Sequence, residues 1–568
     1  MSRPSFSKRS HRRRAAPPPR DGRRDVALHW RGILARERGT PKIIPPADCQ
    51  VALVYPNTYA AGMSSLGYQM VYRWINDQPY ALAERFFCQA RPALSVENQR
   101  PLDQFDLVAF SIAYELDDLG MVRFLIQNNV TVRAAERDPR AEPIVLAGGV
   151  CLLINRLPIY DVADVFVLGD GEGTVAPIIE AWSVSGGDRK QFLEAITTIE
   201  GVEVTDGARQ RFGLPSGEEG LLAGNSLEAA PQSAIRNPPL EVPQSAVPLA
   251  GSTGGPPAFP PESRIQNPKS VLPHFARTLD STDAFSAIIA PDTELADRCL
   301  IEIARGCPYR CRFCFIGDAV AYRPRPFEAV VEMIERGRRL TSRFGLIAPA
   351  VGSHPDIERI CEHCRGLNLA VSFSSLRLED VKPSMLELLA AGGQQSVTVA
   401  PEAGSERLRR FLGKRLSDEQ VSDFAAQAVR RGLSGLRLYF MVGLPTEQPE
   451  DIEAIATLVE AARRSALAAK PTAQTHVTFA VNVSIFVPKP GTPLAEQATP
   501  PLAQTKSHLK RLNVLFGRMD DVEFRVPSLT QAEAQRVLSW GGREMLSALL
   551  ETARTDGSWP NFLAFAKK

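Results

Sequence analysis

The sequence predicts an α/β protein with a doubly wound, Rossmann-like sheet, a partial β/α barrel and a helical C-terminal region. Two series of short apolar segments alternate with amphipathic helical segments, an alternation that is typical of parallel sheets. A proline-rich interval with almost no aromatic residues separates the two series. The length of 568 residues also exceeds that of one ordinary domain.

The basic N-terminus predicts a disordered tail, because the first 24 residues hold nine Lys and Arg, one acid and no apolar periodicity. Loose contact with RNA is the alternative interpretation of this charge. The predicted parts are the tail (1–45), a first α/β domain (46–185), a connector (186–295) with a flexible proline-rich segment (231–273), a barrel (296–500) and a helical region (501–568).

The first domain is expected to place ligands at one edge of its sheet. Glycine-containing turns follow several of its predicted strands, and ligands bind beyond the carboxyl ends of the strands in such sheets. The predicted strands are 51–55, 107–111, 144–147 and 165–168.

The second series contains six strand–helix units. A complete β/α barrel needs eight such units, so the series predicts a partial barrel. Its predicted strands are 300–304, 346–348, 370–373, 396–399, 436–442 and 477–486.

Composition excludes several classes of protein. Apolar residues at 44% and charged residues at 23% are ordinary for a globular protein, and a net charge of +2 argues against a polyanion-binding protein. No apolar run reaches the roughly 20 residues of a membrane-spanning helix. Nine cysteines without a secretory leader predict a reducing, cytoplasmic environment and not a disulfide scaffold.

Three of the cysteines form the strongest local pattern in the chain. Cys307, Cys311 and Cys314 lie within eight residues, directly after the first barrel strand, where their thiols can surround one metal centre. Three ligands leave one coordination position open, whereas a structural zinc site is normally closed by a fourth Cys or His. The nearest candidates for closure lie about 50 residues further on, at 361–364 on a predicted helix.

This C-x3-C-x2-C pattern, with Phe313 before its last cysteine, resembles the signature of radical SAM enzymes. The stretches 302–307, 400–407, 438–445 and 486–493 resemble the branch that includes tRNA methylthiotransferases and cobalamin-associated radical SAM proteins. The resemblance implies a [4Fe–4S] cluster on the three cysteines, with S-adenosylmethionine (SAM) on its open iron. Reductive cleavage of SAM would then give a 5′-deoxyadenosyl radical. A cellular electron donor of the flavodoxin or ferredoxin type is implied as well.

The same resemblance implies four contacts with SAM. Glu402 would bind the ribose or amino group, Gly443 would pass near the adenine, Val487 would touch the adenine edge, and Arg377 could pair with a carboxylate. The family's Gly-Gly-Glu is absent after the second barrel strand, where this chain has APAVGS at 348–353.

The first domain resembles the cobalamin-binding domain of many such enzymes, but the motif that supplies an axial histidine is missing. The histidine position would fall near Tyr59. Two interpretations stay open: cobalamin binds without a protein nitrogen ligand and supports radical methylation, or the domain has kept the fold and lost the cofactor. A nicotinamide site is disfavoured because the G-x-G-x-x-G spacing is not met. The candidate cobalamin residues are Asn57, Ser64, Ser111, Gly148, Gly149 and Gly171.

Two rival functions remain. Cys49, Cys88 and Cys151 could hold a second cluster, as in methylthiotransferases, although none of the three has that family's sequence context. A non-catalytic iron–sulfur protein, with a regulatory or RNA-associated role, is the rival from another class. Cys361 and Cys364 are expected to be buried packing residues of a barrel helix.

Overall fold

The computed structural model describes residues 22–39, 47–215, 271–281, 283–293 and 295–567. The first 21 residues of the predicted basic tail lie outside these ranges, as does the proline-rich segment 231–273 except for its last three residues.

The first domain contains a six-stranded sheet in the order β2-β1-β3-β4-β5-β6. Neighbouring strands are parallel except for β6, which is antiparallel to β5. The four predicted strands are present, and β2 and β6 are additional. The strands are β1 (Cys49–Tyr55), β2 (Ala81–Phe87), β3 (Leu107–Ser111), β4 (Ile144–Gly148), β5 (Val165–Val167) and β6 (Val202–Val204).

Strand β2 escaped prediction because charged residues interrupt its apolar pattern. Glu84 and Arg85 lie in its middle, and both are completely buried. Arg85 pairs with Glu37 at 2.8 Å and with Glu97 at 2.6 Å. Ion pairing makes the burial of these charges tolerable, so a sequence that reads as polar forms an interior strand.

Two predicted boundaries of the first domain are wrong. Residues 23–34, predicted as tail, form a helix whose Val26, Trp30 and Ile33 are buried; flanking arginines masked this narrow apolar stripe. Residues 189–212, predicted as connector, also belong to the domain, because their helices and β6 bury apolar side chains against its sheet. The helices are α1 (Arg23–Leu34), α2 (Tyr59–Met63), α3 (Leu66–Asn76), α4 (Asp117–Gln127), α5 (Val175–Val184), α6 (Arg189–Ile196) and α7 (Asp206–Phe212).

The second domain is the predicted partial barrel with one further strand. Seven of its strands form two parallel sheets, β11-β10-β7 and β12-β13-β14-β15, which a bridge between Leu376 and Val399 connects. The short strands β8 and β9 form a separate antiparallel pair. Strand β15 lies in the region predicted to be helical. The strands are β7 (Cys299–Glu302), β8 (Ala304–Arg305), β9 (Arg323–Pro324), β10 (Arg343–Ile347), β11 (Ala370–Phe373), β12 (Ser396–Glu402), β13 (Gly435–Val442), β14 (Thr478–Ile485) and β15 (Val522–Arg525).

Amphipathic helices cover the outside of the barrel strands and share one large hydrophobic core with them. None of the helices in the described part of the chain is long and apolar enough to cross a membrane. The barrel helices are α8 (Phe315–Ala319), α9 (Phe327–Gly337), α10 (Ile357–Gly366), α11 (Pro383–Ala391), α12 (Glu406–Phe411), α13 (Asp418–Arg430), α14 (Pro449–Ala468) and α15 (Leu502–Phe516).

The C-terminal helices return to the first domain. They are α16 (Leu529–Trp540), α17 (Met545–Arg554) and α18 (Trp559–Phe565). Leu538, Leu549 and Phe562 of these helices are buried in the same cluster as Val54 of β1 and Val108 of β3. The C-terminal region therefore ties the barrel to one face of the first sheet.

Candidate active site at the cysteine loop and the interdomain cavity

The cysteine loop begins with a turn that requires glycine. Gly306 has a φ of 72°, and an added Cβ would lie 2.1 Å from the carbonyl oxygen of Ala321. Further along the loop, the backbone N–H of Cys314 donates to the carbonyl of Cys311 at 2.9 Å. The loop therefore turns sharply out of the barrel strand and folds back on itself.

Neighbouring segments of the barrel hold the loop in place. The backbone N–H of Arg312 donates to Leu412 O at 3.0 Å, and the N–H of Leu494 donates to Arg312 O at 3.1 Å. The next residue, Phe313, packs against a small apolar cluster that includes Leu412, Leu494 and Met441. Segments that follow β12 and β14 thus clamp the chain between the second and third cysteines.

Two cations stand beside the partly buried thiols. Burial raises the pKa of Cys307 to about 11, and it raises the pKa of Cys311 as well. The positive charges of Arg377 and Lys414 oppose the rise at Cys311, and Arg377 Nη1 donates to Cys311 Sγ at 3.3 Å. Hydrogen bonds and positive charge near the sulfur stabilise anionic sulfur ligands.

Three thiols on one loop are the type of donor set that iron–sulfur clusters use. Within the described residues, no three His, Cys, Asp or Glu side chains lie together so that they could hold one metal ion. Each thiolate of a cluster binds a different iron, so the thiols need to surround the cluster without converging on one point. Cys361 and Cys364 are buried in the barrel core, as predicted, and join no such group.

The structure places Glu402 next to the cysteine loop. Glu402 ends β12 with a φ of 72°, in the left-handed region that non-glycine residues rarely adopt, and the strand register shifts just before it. Its carboxylate accepts a hydrogen bond from Lys414 Nζ at 3.0 Å. Because Lys414 also lowers the pKa of Cys311, it joins Glu402 to the electrostatics of the thiols. Sequence reasoning missed Lys414, which belongs to no recognised motif.

Arg377 does pair with a carboxylate, but this carboxylate belongs to the same chain. Its Nη2 donates to Glu379 Oε1 at 2.7 Å, and its guanidinium stacks over the ring of Tyr309 at 3.9 Å. The contact with Cys311 uses Nη1, so both terminal nitrogens are engaged near the loop. This geometry makes Arg377 a neighbour of the thiols.

Gly443 and Val487 follow β13 and β14 at the same end of the barrel. Gly443 has a φ of 79°, and its N–H donates to both carboxylate oxygens of Glu447 at 3.1 and 3.0 Å. His508 Nδ1 of α15 lies 2.9 Å from Glu447 Oε1. Val487 is buried. Sequence reasoning missed Glu447 and His508, because His508 lies 61 residues beyond Glu447 and no local pattern joins them.

A cavity of about 410 Å³ lies between the first domain and the barrel. Its apolar walls come from the face of the first sheet and from α3 and α5, and it extends to Gly306 and Ile316 beside the cysteine loop. Of the six residues predicted for cobalamin, Ser111, Gly148, Gly149 and Gly171 line this cavity. Asn57 and Ser64 are not among the lining residues, although Ser65 is.

The position that would carry an axial histidine faces the protein interior. Tyr59 is buried, and its hydroxyl donates to Glu37 Oε1 at 2.5 Å. Its ring packs against Trp30 of α1 and Phe87. Among the described residues that line the cavity, none is His, Lys or Cys. The cavity therefore has room for a ligand but offers no nitrogen to a metal.

An ion network forms the wall between the cavity and the cysteine loop. Arg305 donates to Glu172 through two hydrogen bonds of 2.8 Å and to Glu302 at 2.8 and 3.1 Å, and it pairs with Asp170 at 2.9 Å. Asp170 and Glu172 belong to the first domain, whereas Arg305 stands two residues before Cys307. The network therefore joins the two domains at the base of the loop.

The three cysteines of the first domain do not meet. Cys49 begins β1 and Cys88 follows β2, and these parallel strands pair Cys49 with Ala81 and Tyr55 with Phe87. The two thiols therefore lie at opposite ends of strands about 20 Å long. Cys151 follows β4 and is buried. This separation argues against a second cluster built from Cys49, Cys88 and Cys151.

Two family models match the chain. Residues 67–204 match the model described as "Radical SAM proteins, N-terminal", and residues 301–459 match "Radical SAM superfamily". Uncharacterized protein MJ0966 of Methanocaldococcus jannaschii is 25% identical over 452 residues, which cover 78% of each chain. Uncharacterized methyltransferase PH0819 of Pyrococcus horikoshii is 27% identical over 167 residues, which cover 27% of this chain and 35% of that protein.

Solved structures overlap with the chain in part. The cobalamin-dependent S-adenosylmethionine radical enzyme OxsB, with aqua-cobalamin and SAM bound, matches with a TM-score of 0.46 and 12% identity, over 89% of this chain and 67% of its own. SuiB of Streptococcus suis matches with a TM-score of 0.31 and 14% identity, over 41% of this chain and half of its own. The cysteine loop at the end of the first barrel strand lies within the second family match, and the chain therefore belongs to the radical SAM superfamily of enzymes.

Proposed function

We propose that the enzyme binds a [4Fe–4S] cluster through Cys307, Cys311 and Cys314 and cleaves SAM reductively to start radical chemistry on an organic substrate. The observation that carries this proposal is the set of three thiols on one loop at the carboxyl end of a barrel strand. When bound, such a cluster supplies the electron that breaks a C–S bond of SAM and yields a 5′-deoxyadenosyl radical, which abstracts a hydrogen atom.

The chain's own residues would bind and orient SAM and limit access of water. Lys414 offsets negative charge at the thiols and holds Glu402, which we assign to the SAM ribose or amino group. The backbone of Gly443, fixed by Glu447, and the buried Val487 form the adenine side of the site in this proposal. Arg377 adds a hydrogen bond to sulfur and is kept in place by Glu379.

We further propose that the interdomain cavity binds cobalamin without a protein nitrogen ligand, and that the reaction is methylation of an unactivated carbon. Ser111, Gly148 and Gly149 place backbone and small side chains at the carboxyl edge of the sheet, where doubly wound folds bind ligands. Gly67 of α3 widens the cavity, because no atom lies within 4 Å of an added Cβ. The inward orientation of Tyr59 is the reason to expect no axial ligand from the chain.

Anaerobic reconstitution tests both parts of the proposal. With iron, sulfide, dithionite and SAM, we expect about four irons per chain and release of 5′-deoxyadenosine. A Cys307→Ala variant should lose the bound iron and the release of 5′-deoxyadenosine, whereas Cys361→Ala should keep both the iron and the release. Absence of 5′-deoxyadenosine from protein with a full cluster would indicate a non-catalytic iron–sulfur protein, and about eight irons would indicate a two-cluster methylthiotransferase type.

The cobalamin part is tested separately. Addition of hydroxocobalamin followed by gel filtration should leave a corrinoid absorption band with the protein. Its absence would mean that the domain has kept the fold without the cofactor, and it would leave SAM cleavage unaffected.

We also propose that the reaction takes place in a reducing cytoplasm and receives electrons from a flavodoxin or ferredoxin type of donor. All nine cysteines are free thiols in the structure, which supports a reducing environment. Replacement of dithionite by a reduced flavodoxin or ferredoxin in the SAM-cleavage assay tests the donor.

A further inference from the structure

The inner face of the barrel sheet β12–β15 is open, unlike its outer face. Side chains alternate along each strand, and Leu436, Leu438 and Phe440 of β13 are buried on the outer face beneath helices. On the inner face of the same strand, Arg437 and Tyr439 are exposed, Tyr439 by 40%, and Met441 is half-buried. A complete barrel fills its interior with side chains, whereas a partial barrel leaves this surface available.

The side chains of this inner face, which are exposed or half-buried, form ordered rows across the strands. Tyr439 lies opposite Asn482 of β14, and Arg437 lies opposite Thr398 of β12. Ser484 lies opposite Met441, one row closer to the carboxyl ends of the strands. We call this surface the inner wall; its residues are Thr398, Arg437, Tyr439, Met441, Asn482 and Ser484.

The inner wall is continuous with the cysteine loop. Met441 packs in the apolar cluster that also contains Phe313, which lies between the second and third cysteines. Arg437 is four residues further from that end of β13, a distance of about 13 Å along an extended strand. A ligand that contacts both Arg437 and the cysteine loop must therefore be elongated.

Arg437 gives the inner wall an uncompensated positive charge. It is exposed, and among the described residues it makes neither an ion pair nor a side-chain hydrogen bond. The other arginine on this face, Arg525 of β15, is already paired with Glu523 at 3.1 Å. An arginine without a carboxylate partner, facing a barrel interior, is suited to bind a carboxylate or phosphate group.

We propose that the substrate is an elongated organic anion that lies along the inner wall. Its carboxylate or phosphate pairs with Arg437, its middle part lies against the ring of Tyr439 and the amide of Asn482, and the carbon that loses hydrogen lies about 13 Å from the anionic group, near Met441. This inference rests on the proposed function, because the cysteine loop must be the place where the radical forms.

Transfer of deuterium to 5′-deoxyadenosine tests the inference even while the substrate is unidentified. Dithionite supplies one electron, methionine leaves SAM, and one deuterium atom moves from a substrate C–D bond to the 5′ carbon, while the substrate keeps the unpaired electron. The probe is a metabolite extract from cells grown in deuterium oxide, separated by anion exchange into anionic and non-anionic fractions. Mass spectrometry measures the deuterated 5′-deoxyadenosine.

The wild-type protein should form deuterated product with the anionic fraction and not with the other. Arg437→Gln should lower this formation about tenfold to a hundredfold at limiting extract, and Arg437→Lys should restore part of it. Arg525→Gln is the matched control and should change little, because Arg525 is already paired. Arg525→Gln should also release unlabelled 5′-deoxyadenosine without extract as fast as the wild type does.

Three results would overturn the inference: transfer only from the non-anionic fraction, no transfer from either fraction, or unchanged transfer in Arg437→Gln. Phosphatase treatment of the anionic fraction distinguishes the two anions, because only a phosphate-bearing substrate loses activity. If the wild type releases no 5′-deoxyadenosine at all, it is the proposed function that fails. The two failures are thus distinguishable.

Discussion

Glu115 joins three parts of the chain, and its replacement by glutamine is expected to loosen all three. It follows β3 of the first domain, and its Oε1 accepts hydrogen bonds from Lys489 Nζ, after the last predicted barrel strand, and from Ser539 Oγ of α16 at 3.0 Å. Its Oε2 accepts from Gln535 Nε2 at 3.0 Å. The side chains of Glu115 and Lys489 are only 4% and 15% exposed.

The size of the effect follows from this burial. Glu115→Gln leaves the ammonium group of Lys489 without its counter-charge, and breaking a buried ion pair on one side costs about 3–5 kcal/mol. Because Lys489 remains partly exposed, we expect the free energy of unfolding to fall by an amount at the lower end of this range, about 3 kcal/mol. For a protein this large, we expect a fall in Tm of about 6 °C or less.

The loss should depend on pH in a defined direction. Burial raises the pKa of Glu115, but the charge of Lys489 and the hydrogen bonds from Lys489 and Gln535 outweigh it and hold the pKa below its usual 4.5. A carboxyl group with a lowered pKa stabilises the folded state above its unfolded pKa, and this contribution is lost as pH falls through the folded value. The difference in Tm between the wild type and the variant should therefore be largest at neutral pH and should become small below pH 4.5.

Thermal unfolding followed by circular dichroism between pH 4 and 8 measures this difference. Glu453→Gln is the matched control, because Glu453 pairs with Arg511 on the surface, where both side chains are about half exposed. We expect no measurable change in Tm for this control. A Tm for Glu115→Gln equal to that of the wild type at pH 7, or a difference that grows as pH falls, would refute the reasoning.

Three further predictions concern the sites. Cys307→Ala should abolish the visible absorbance of the reconstituted cluster, because it removes one of the three proposed thiolate ligands, while Cys361→Ala should retain it. Equal iron content in both variants would contradict the assignment. His508→Leu should raise the KM for SAM several-fold with little change in kcat, and His508→Asn, whose amide can still donate to Glu447, should restore it; a uniform loss of iron would indicate a structural role only. Gly67→Leu should fill part of the cavity and weaken hydroxocobalamin binding at least about tenfold while Tm holds or rises, because leucine favours a helix more than glycine does; unchanged binding would place the corrinoid elsewhere.

The sequence was most informative where structure depends on local pattern. All six predicted barrel strands are present, because each is a short apolar run between helical segments. Strand β15 was missed because charged residues alternate with apolar ones in Val522–Arg525, a pattern that its exposed inner face explains. Helix α1 was missed because three buried residues lie among arginines. In each missed element, a partner distant in sequence supplies the stability.

In the candidate site too, residues within a local sequence motif could be predicted, whereas residues that only the folded chain brings together could not. The three cysteines could be predicted as cluster ligands from their spacing and from the motif that it resembles, because the whole pattern lies within eight residues. Lys414 and His508 were not found, because each acts through a contact that only the folded chain creates. Asn57 and Ser64 were predicted to contact cobalamin but do not line the cavity, because sequence order alone does not show which residues of a loop border a cavity.

The ion network of Arg305 bears on whether the cavity and the cysteine loop can act independently. The cavity is lined by Arg305, Glu172 and Glu302. Only Gly306 separates Arg305 from Cys307 in the sequence. We expect a group bound in the cavity to contact the carboxylates that hold Arg305 and thereby to shift the base of the cysteine loop. The coupling between two binding sites is reciprocal. If a ligand in the cavity changes the affinity for SAM by some factor, SAM changes the affinity for that ligand by the same factor. The affinity for hydroxocobalamin should therefore differ between protein with SAM and protein without SAM. Glu172→Gln should reduce this SAM-dependent difference more than it reduces the affinity for hydroxocobalamin alone or for SAM alone.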